Sequence, residues 1–451
     1  LYSASLMNYI YFDLAAEDVT INASGYTGYI FVGGNSTPRK VSGVHASNNF
    51  YYVYQSSTKE SSLYSYKNTG WLGGTIGTGE CSLPTYNPIT YKEQLWSDYV
   101  TDNTVVEDVI VGWSKAVKSS GRDSTSNRIQ VSGTLDCNMT IDNLFSRYQV
   151  ASASRSYATT PSKFTLTLVG DNRFGNIHYT NPSDNGSEII FEGTGSLTVA
   201  DVDYKINKSD SYRGADGYYS NHWASVIGGD DGSNTEEAYG IVINSGVIYA
   251  GSTAAENCTA IGGGGNGDTR VEIHGGVVTA VATTTGTAIG GGIGFQNTGG
   301  VGNVIITGGN IYAYNFANTW DIPSAAIGGA GSSAGAGSAG NVTISGGNIY
   351  ALSAIGTAIG GGSSKTNNGG NATVTISGGS VIAKSITARG GAKGGKPGVL
   401  LPAGAGIGGG TGGSNSGVNG GSATINISGT PIIRTGSIGG GKTNNSTGKI
   451  G

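Results

Sequence analysis

Apolar and polar residues alternate in short runs along most of the chain, and the runs return in a fixed order. The stretch "VTISGGNIYA", beginning at Val342, puts Val342 and Ile344, then Ile349 and Ala351, on the opposite face from Thr343, Asn348 and Tyr350, with Gly346 and Gly347 between the two runs. Period-two alternation marks half-buried strands, and the glycine pair marks a corner. The module recurs as "IVINSGVIYA" at Ile241, "VEIHGGVVTA" at Val271, "VIITGGNIYA" at Val304, "VTISGGSVIA" at Val374 and "INISGTPIIR" at Ile425. Between the copies lies a third short segment, "IGG", at Ile227, Ile261, Ile289, Ile327, Ile359, Ile407 and Ile438, at intervals of 28 to 48 residues.

Each repeat therefore holds three strands and their corners. With no helix pattern between strands and no two-residue hairpin turn joining them, the strands turn corners in one sense and stack on the next copy. The expected fold is all-β, a right-handed parallel β-helix. Alternation places Ile243, Ile273, Ile306, Ile344, Ile376 and Ile427 inward as one column and the "IGG" isoleucines as another. Val242, Glu272, Ile305, Thr343, Thr375 and Asn426 face outward. In the second run of each module, Tyr249, Tyr312 and Tyr350 take matching outward positions, with Thr279, Ile382 and Ile433 filling the others.

Composition sharpens this reading. There are 81 glycines against 9 prolines in 451 residues, and 12% of residues are charged, which fits neither a collagen-like chain nor a charged disordered one. Glycine suits corners where the backbone takes positive φ or approaches the next coil. Each buried isoleucine contributes about 1.5 to 3 kcal/mol, which offsets the roughly 0.5 to 1 kcal/mol that each glycine loses on ordering. Stretches of variable length such as "IGFQNTGGVGN" and "SSKTNNGGN" follow the "IGG" segments and are expected to project from one edge of the rod.

The pattern weakens toward the N-terminus, where residues 128–144, 163–179 and 188–202 read as less regular coils. Residues 1–112 are expected to form a β-rich cap or first coils with a Tyr-rich inserted subdomain, and residues 113–451 the β-helix. In that insertion Tyr51, Tyr52, Tyr54, Tyr64, Tyr66 and Trp71 lead an aromatic cluster, suited either to packing on the rod's end or to binding. The opening "LYSASLMNYI" carries no initiator Met, and the chain reads as a processed piece of something longer.

Charge and chemistry narrow the function. A net charge of −4 with no basic stripe speaks against nucleic acid, and no apolar run of about 18 residues predicts membrane insertion. Three scattered cysteines and four isolated histidines make neither a disulfide scaffold nor a metal triad, and no cofactor is expected. From Ile273 to the last residue the single acidic side chain is Asp321, so a catalytic carboxylate pair does not fit the C-terminal repeats. The densest polar and aromatic segment is residues 201–237. There Tyr204, Tyr212, Arg213, Tyr218, Tyr219, His222, Trp223, Asp230 and Asp231 form a candidate ligand surface, in which aromatic faces take rings or backbones and the charges fix orientation. "DDGSNTEE" superficially resembles a calcium loop but lacks its spacing.

The "TAIGGG" and "GNVTISGGNIYA" units, with "LTLVGDNRFGNIHY" and "YYSNHWASVIGGDDGSN", resemble the Gly-rich repeat surface proteins of gut Firmicutes, a carbohydrate-binding-domain family that includes immunoglobulin-binding superantigens. The resemblance implies a non-catalytic protein, secreted or attached to the cell wall. Its expected partner is a host protein, with immunoglobulin variable domains foremost. The alternatives are a carbohydrate-binding β-helix for host or plant glycans, and a polysaccharide lyase or hydrolase whose acids would come from residues 201–237.

Overall fold

A computed structural model describes residues 129–132, 137–142, 150–152, 163–174, 177–179, 187–201, 225–229, 240–252, 259–282, 285–294, 298–315, 323–385, 404–413, 415 and 417–441. It also places three earlier strands, Tyr9–Asp13, Val19–Asn22 and Tyr29–Gly33. Every regular element among the described residues is a strand, and the strands form three wholly parallel sheets. The first sheet has eleven strands from Tyr9–Asp13 to Ala423–Ile427, and the second has eight from Asp171–Phe174 to Ile432–Thr435. The third has eleven from Val19–Asn22 to Ile438–Gly439. One coil takes one strand from each sheet, for example Gly340–Ile344, Asn348–Ser353 and Ile359–Gly360, and each strand pairs with its equivalent one coil along. This is a parallel β-helix.

The register follows the repeat. Ile243, Ile273, Ile306, Ile344, Ile376 and Ile427 pair in succession down the first sheet. The "IGG" isoleucines from Ile227 to Ile438 do the same down the third. Ile248, Val278, Ile311, Ile349, Val381 and Ile433 complete the inner wall from the second. Most of these side chains are fully buried in one continuous core, whereas Ile427 and Ile438 in the last coil are half-exposed.

One inward–outward assignment from sequence is corrected. Arg434, not Ile433, continues the outward tyrosine file, because Ile382 pairs with Arg434 and Ile433 pairs with Val381 inside. The corner "SGTP" carries one residue more than "SGG" in the preceding coil, and a shift of one residue exchanges the two faces of a strand.

The glycines act at two places. In the third sheet Gly328 has φ 129°, and a Cβ there would run into the carbonyl oxygen of Gly360 in the next coil. The variable loops follow the short strands of the third sheet, and their described residues belong largely to the stack. Ser338 N–H donates to Ala330 O (3.0 Å), Gly362 N–H to Ser338 O (2.9 Å), Gly370 N–H to Gly362 O (2.7 Å) and Gly410 N–H to Gly370 O (2.9 Å). The two limbs of successive loops are thus stitched into a glycine wing, in which a Cβ on Gly370 would meet the Ser338 carbonyl.

The Tyr-rich residues 50–112 lie outside the described residues, as do Cys81 and Cys258.

Candidate functional site

Of the residues singled out from sequence, the structure describes Tyr249, Tyr312 and Tyr350. Tyr204, Tyr212, Arg213, Tyr218, Tyr219, His222, Trp223, Asp230 and Asp231 lie outside the described residues. The three tyrosines fall in one file on the outer face of the second sheet. Register runs Tyr249, Thr279, Tyr312, Tyr350, Ile382, Arg434 along successive strands, a file roughly 24 Å long in which Thr279 and Ile382 are buried, the three tyrosines are half-buried and Arg434 is exposed.

The next outward file is closed. Val281, Tyr314 and Leu352, two residues further along their strands, are buried although alternation points them away from the core, and none belongs to the central core cluster. The outer face of the second sheet is therefore covered at its downstream end and open at its upstream end. The tyrosines stand on the boundary and are half-buried. Burial raises the Tyr249 phenol above its ordinary pKa of 10.0, so the group is neutral and a hydrogen-bond donor at physiological pH.

Tyr312 and Tyr350 are stacked, with centroids 5.0 Å apart and planes within 8°. Parallel in-register pairing imposes that spacing on identical side chains in adjacent coils. Beside them Asn348 Nδ2 donates to Asn310 Oδ1 (2.9 Å), a second ladder at the upstream corner. With ring faces turned toward one another, the pair presents ring edges and hydroxyls to a partner.

A second cluster lies on the outer face of the first sheet, and the sequence did not reveal it. Glu188 binds Lys163 (3.2 Å) and Arg270 (2.7 Å), Arg270 also binds Glu272 (2.8 Å), and Glu272 reaches His274 (3.3 Å), whose Nδ1 lies 2.8 Å from Thr307 Oγ1. Arg270 and Glu188 are 82 residues apart in sequence. Gly240 occupies the strand between them, and a Cβ there would strike the guanidinium as it crosses. Burial alone would raise the Glu188 carboxyl, but the hydrogen bonds from Arg270 and Lys163 outweigh it and hold the group below its ordinary 4.5. A general acid needs the opposite shift. Glu188 is therefore held ionised, within a clamp that ties neighbouring coils together.

Arg270→Gln is expected to destabilise the chain by about 1 to 2 kcal/mol at pH 7, as measured by urea unfolding. Because the folded Glu188 pKa is depressed, its contribution is present above the unfolded value and is lost as pH falls through the folded one. The gap between wild type and variant is therefore expected to narrow on acidification below 4.5. A gap that widens on acidification would contradict the clamp.

No protein-family profile, curated protein or solved structure matches the chain.

Proposed function

We propose that the chain is a non-catalytic binding protein, secreted or wall-attached, that engages a host protein through the strip on its second sheet. Immunoglobulin variable domains are the first partner to test. The observation that carries this reading is the Tyr312–Tyr350 stack. Sugar rings dock on open aromatic faces, and here each ring of the pair gives one face to its neighbour. Phenol groups and amide ladders on a flat, rigid face suit a protein surface, and an interface of about 800 Å² per side needs no deep pocket. The resemblance of the repeat units to immunoglobulin-binding surface proteins points the same way.

The test is binding of the chain to deglycosylated polyclonal Fab, alongside a glycan array. Saturable Fab binding is expected, with a loss of at least about tenfold in affinity for Tyr312→Ala combined with Tyr350→Ala, as for aromatic residues that anchor protein interfaces. Far-UV circular dichroism should be unchanged in that variant. A glycan signal with no Fab signal would replace this reading with that of a carbohydrate-binding β-helix.

A further inference from the structure

The last described coil of the rod is open. Ala423–Ile427, Ile432–Thr435 and Ile438–Gly439 are terminal strands of the three sheets, and each is paired on one side only among the described residues. One coil earlier Ile376, Val381 and Ile407 are fully buried, whereas Ile427 and Ile438 are each 50% exposed and Ile433 is half-buried. This coil therefore presents unpaired backbone groups and an uncovered core together, the features that draw strand edges into further pairing. Solenoids are ordinarily closed by a repeat with a polar outer face. Here a Cβ on Gly439 would meet nothing within 4 Å among the described residues.

The opposite end of the same rod fits this one. The first sheet begins with Tyr9–Asp13, five residues long like Ala423–Ile427, and the third begins with Val19–Asn22. Ile10 and Phe12 hold the register of Ile30 and Val32, then of Met139 and Ile141, and so repeat the apolar spacing of Ile425 and Ile427. Charge favours the same match. Residues 1–38 hold Asp13, Glu17 and Asp18 with no Lys or Arg, and residues 404–451 hold Arg434, Lys442 and Lys449 with no Asp or Glu.

We infer that the last coil of one copy takes the first strands of a second copy, end to end and in parallel register. Ala423–Ile427 adds to Tyr9–Asp13 and Ile438–Gly439 to Val19–Asn22, which carries the first and third sheets from one chain into the next. Two tails meeting each other would bring two acid-free ends together, and like charge opposes that contact. A head-to-tail contact does not close on itself, so it makes linear rods and not a fixed dimer. Stacking along the axis leaves the outer face of the second sheet uncovered and repeats the tyrosine file with every copy added.

Sedimentation velocity of the full chain at about 1 and 100 μM, in about 50 and 200 mM salt, tests the assembly without reference to Fab binding. The weight-average mass is expected to rise with concentration past that of a dimer and to fall as salt screens the opposed ends. Gly439→Ala should block it. A Cβ on Gly408 would strike the Gly439 carbonyl, and a methyl group on Gly439 obstructs the next backbone in the same way. That variant should stay monomeric at about 100 μM with an unchanged far-UV circular dichroism spectrum. Its head remains intact, so about one part in ten mixed into wild type should cap growing tails and shorten the rods. Ile427→Asp combined with Ile438→Asp, which sets carboxylates against the acidic head, is a second block that leaves the backbone conformation alone. A wild-type chain that stays monomeric at the higher concentration overturns the inference. A mass that stops at a dimer, assembly that strengthens with salt, or rods that persist in both variants would overturn it equally.

Discussion

Gly328→Ala is expected to destabilise the coils around it by about 4 kcal/mol, whereas Gly439→Ala, the same change in the last coil, should cost no more than about half of that. Both glycines hold a backbone conformation that side chains rarely adopt, with φ 129° and 144°. That strain alone is worth about 1 to 3 kcal/mol. They differ in what lies above them. A Cβ on Gly328 would strike the Gly360 carbonyl, whereas one on Gly439 would meet nothing within 4 Å among the described residues. Relieving the Gly328 collision forces adjacent coils apart and weakens the bonds from Ile327 N–H to Ala358 O (2.9 Å) and from Gly329 N–H to Gly360 O (2.8 Å). Amide exchange mapped by mass spectrometry checks this. Exchange should rise in the strands flanking Gly328 and remain near wild type several coils away, because solenoid stability is a sum over neighbouring repeats. Equal effects at both glycines would mean that coil-to-coil contact is not what excludes a side chain.

The second large effect concerns the isoleucine column of the third sheet. Ile327 is fully buried between Ile289 and Ile359, and Ile327→Ala removes three carbons from a close-packed wall. A loss of about 2 to 5 kcal/mol is expected, set by how far the neighbours relax into the cavity. Ile438 holds the same place in the repeat but is 50% exposed, and Ile438→Ala should cost about 1 kcal/mol or less. Urea unfolding of the two variants, followed by tyrosine fluorescence and circular dichroism together, measures the difference. Comparable losses at both sites would contradict a core that runs along the rod and opens at its last coil.

The two columns were legible in the sequence because a period of two leaves no choice of face once a corner is fixed. Ile306, Ile344 and Ile376 sit at constant offsets from their glycine pairs, and each pairs as its offset requires. The same rule misplaced Ile433, since the extra residue at Thr430–Pro431 changes the offset in a way that composition does not signal. The glycine wing was invisible for a different reason. Its order lies in backbone hydrogen bonds between loops of unequal length, and glycine leaves no side-chain pattern from which to read a register. Arg270 and Glu188 met only because Gly240 clears the strand between them, a contact that depends on stacking across more than one coil.

The candidate site divides along similar lines. The tyrosine file was readable from matching positions in "VIYA", "NIYA" and "NIYA", and the structure adds that the rings are half-buried and that Tyr312 and Tyr350 turn their faces to each other. The burial of Val281, Tyr314 and Leu352 on the same sheet face could not be read from alternation, which only points them away from the core. That burial confines the open strip to the upstream half of the sheet, where the amide ladder of Asn310 and Asn348 lies.

Everything assigned to the strip depends on coils stacked in register, and an engineered disulfide tests that most directly. Thr343 and Thr375 are register partners on the outer face of the first sheet, in adjacent coils about 4.8 Å apart at the backbone, within the range a disulfide can span. Lys365 lies between them in sequence, so trypsin separates the two positions unless they are joined. In-register stacking predicts that Thr343→Cys with Thr375→Cys oxidises to a cross-linked peptide pair found by mass spectrometry. Thr343→Cys with Thr373→Cys, displaced by two residues, should remain reduced under the same conditions. Cross-linking of the displaced pair with none in the register pair would contradict the stacked coil and the binding strip built on it.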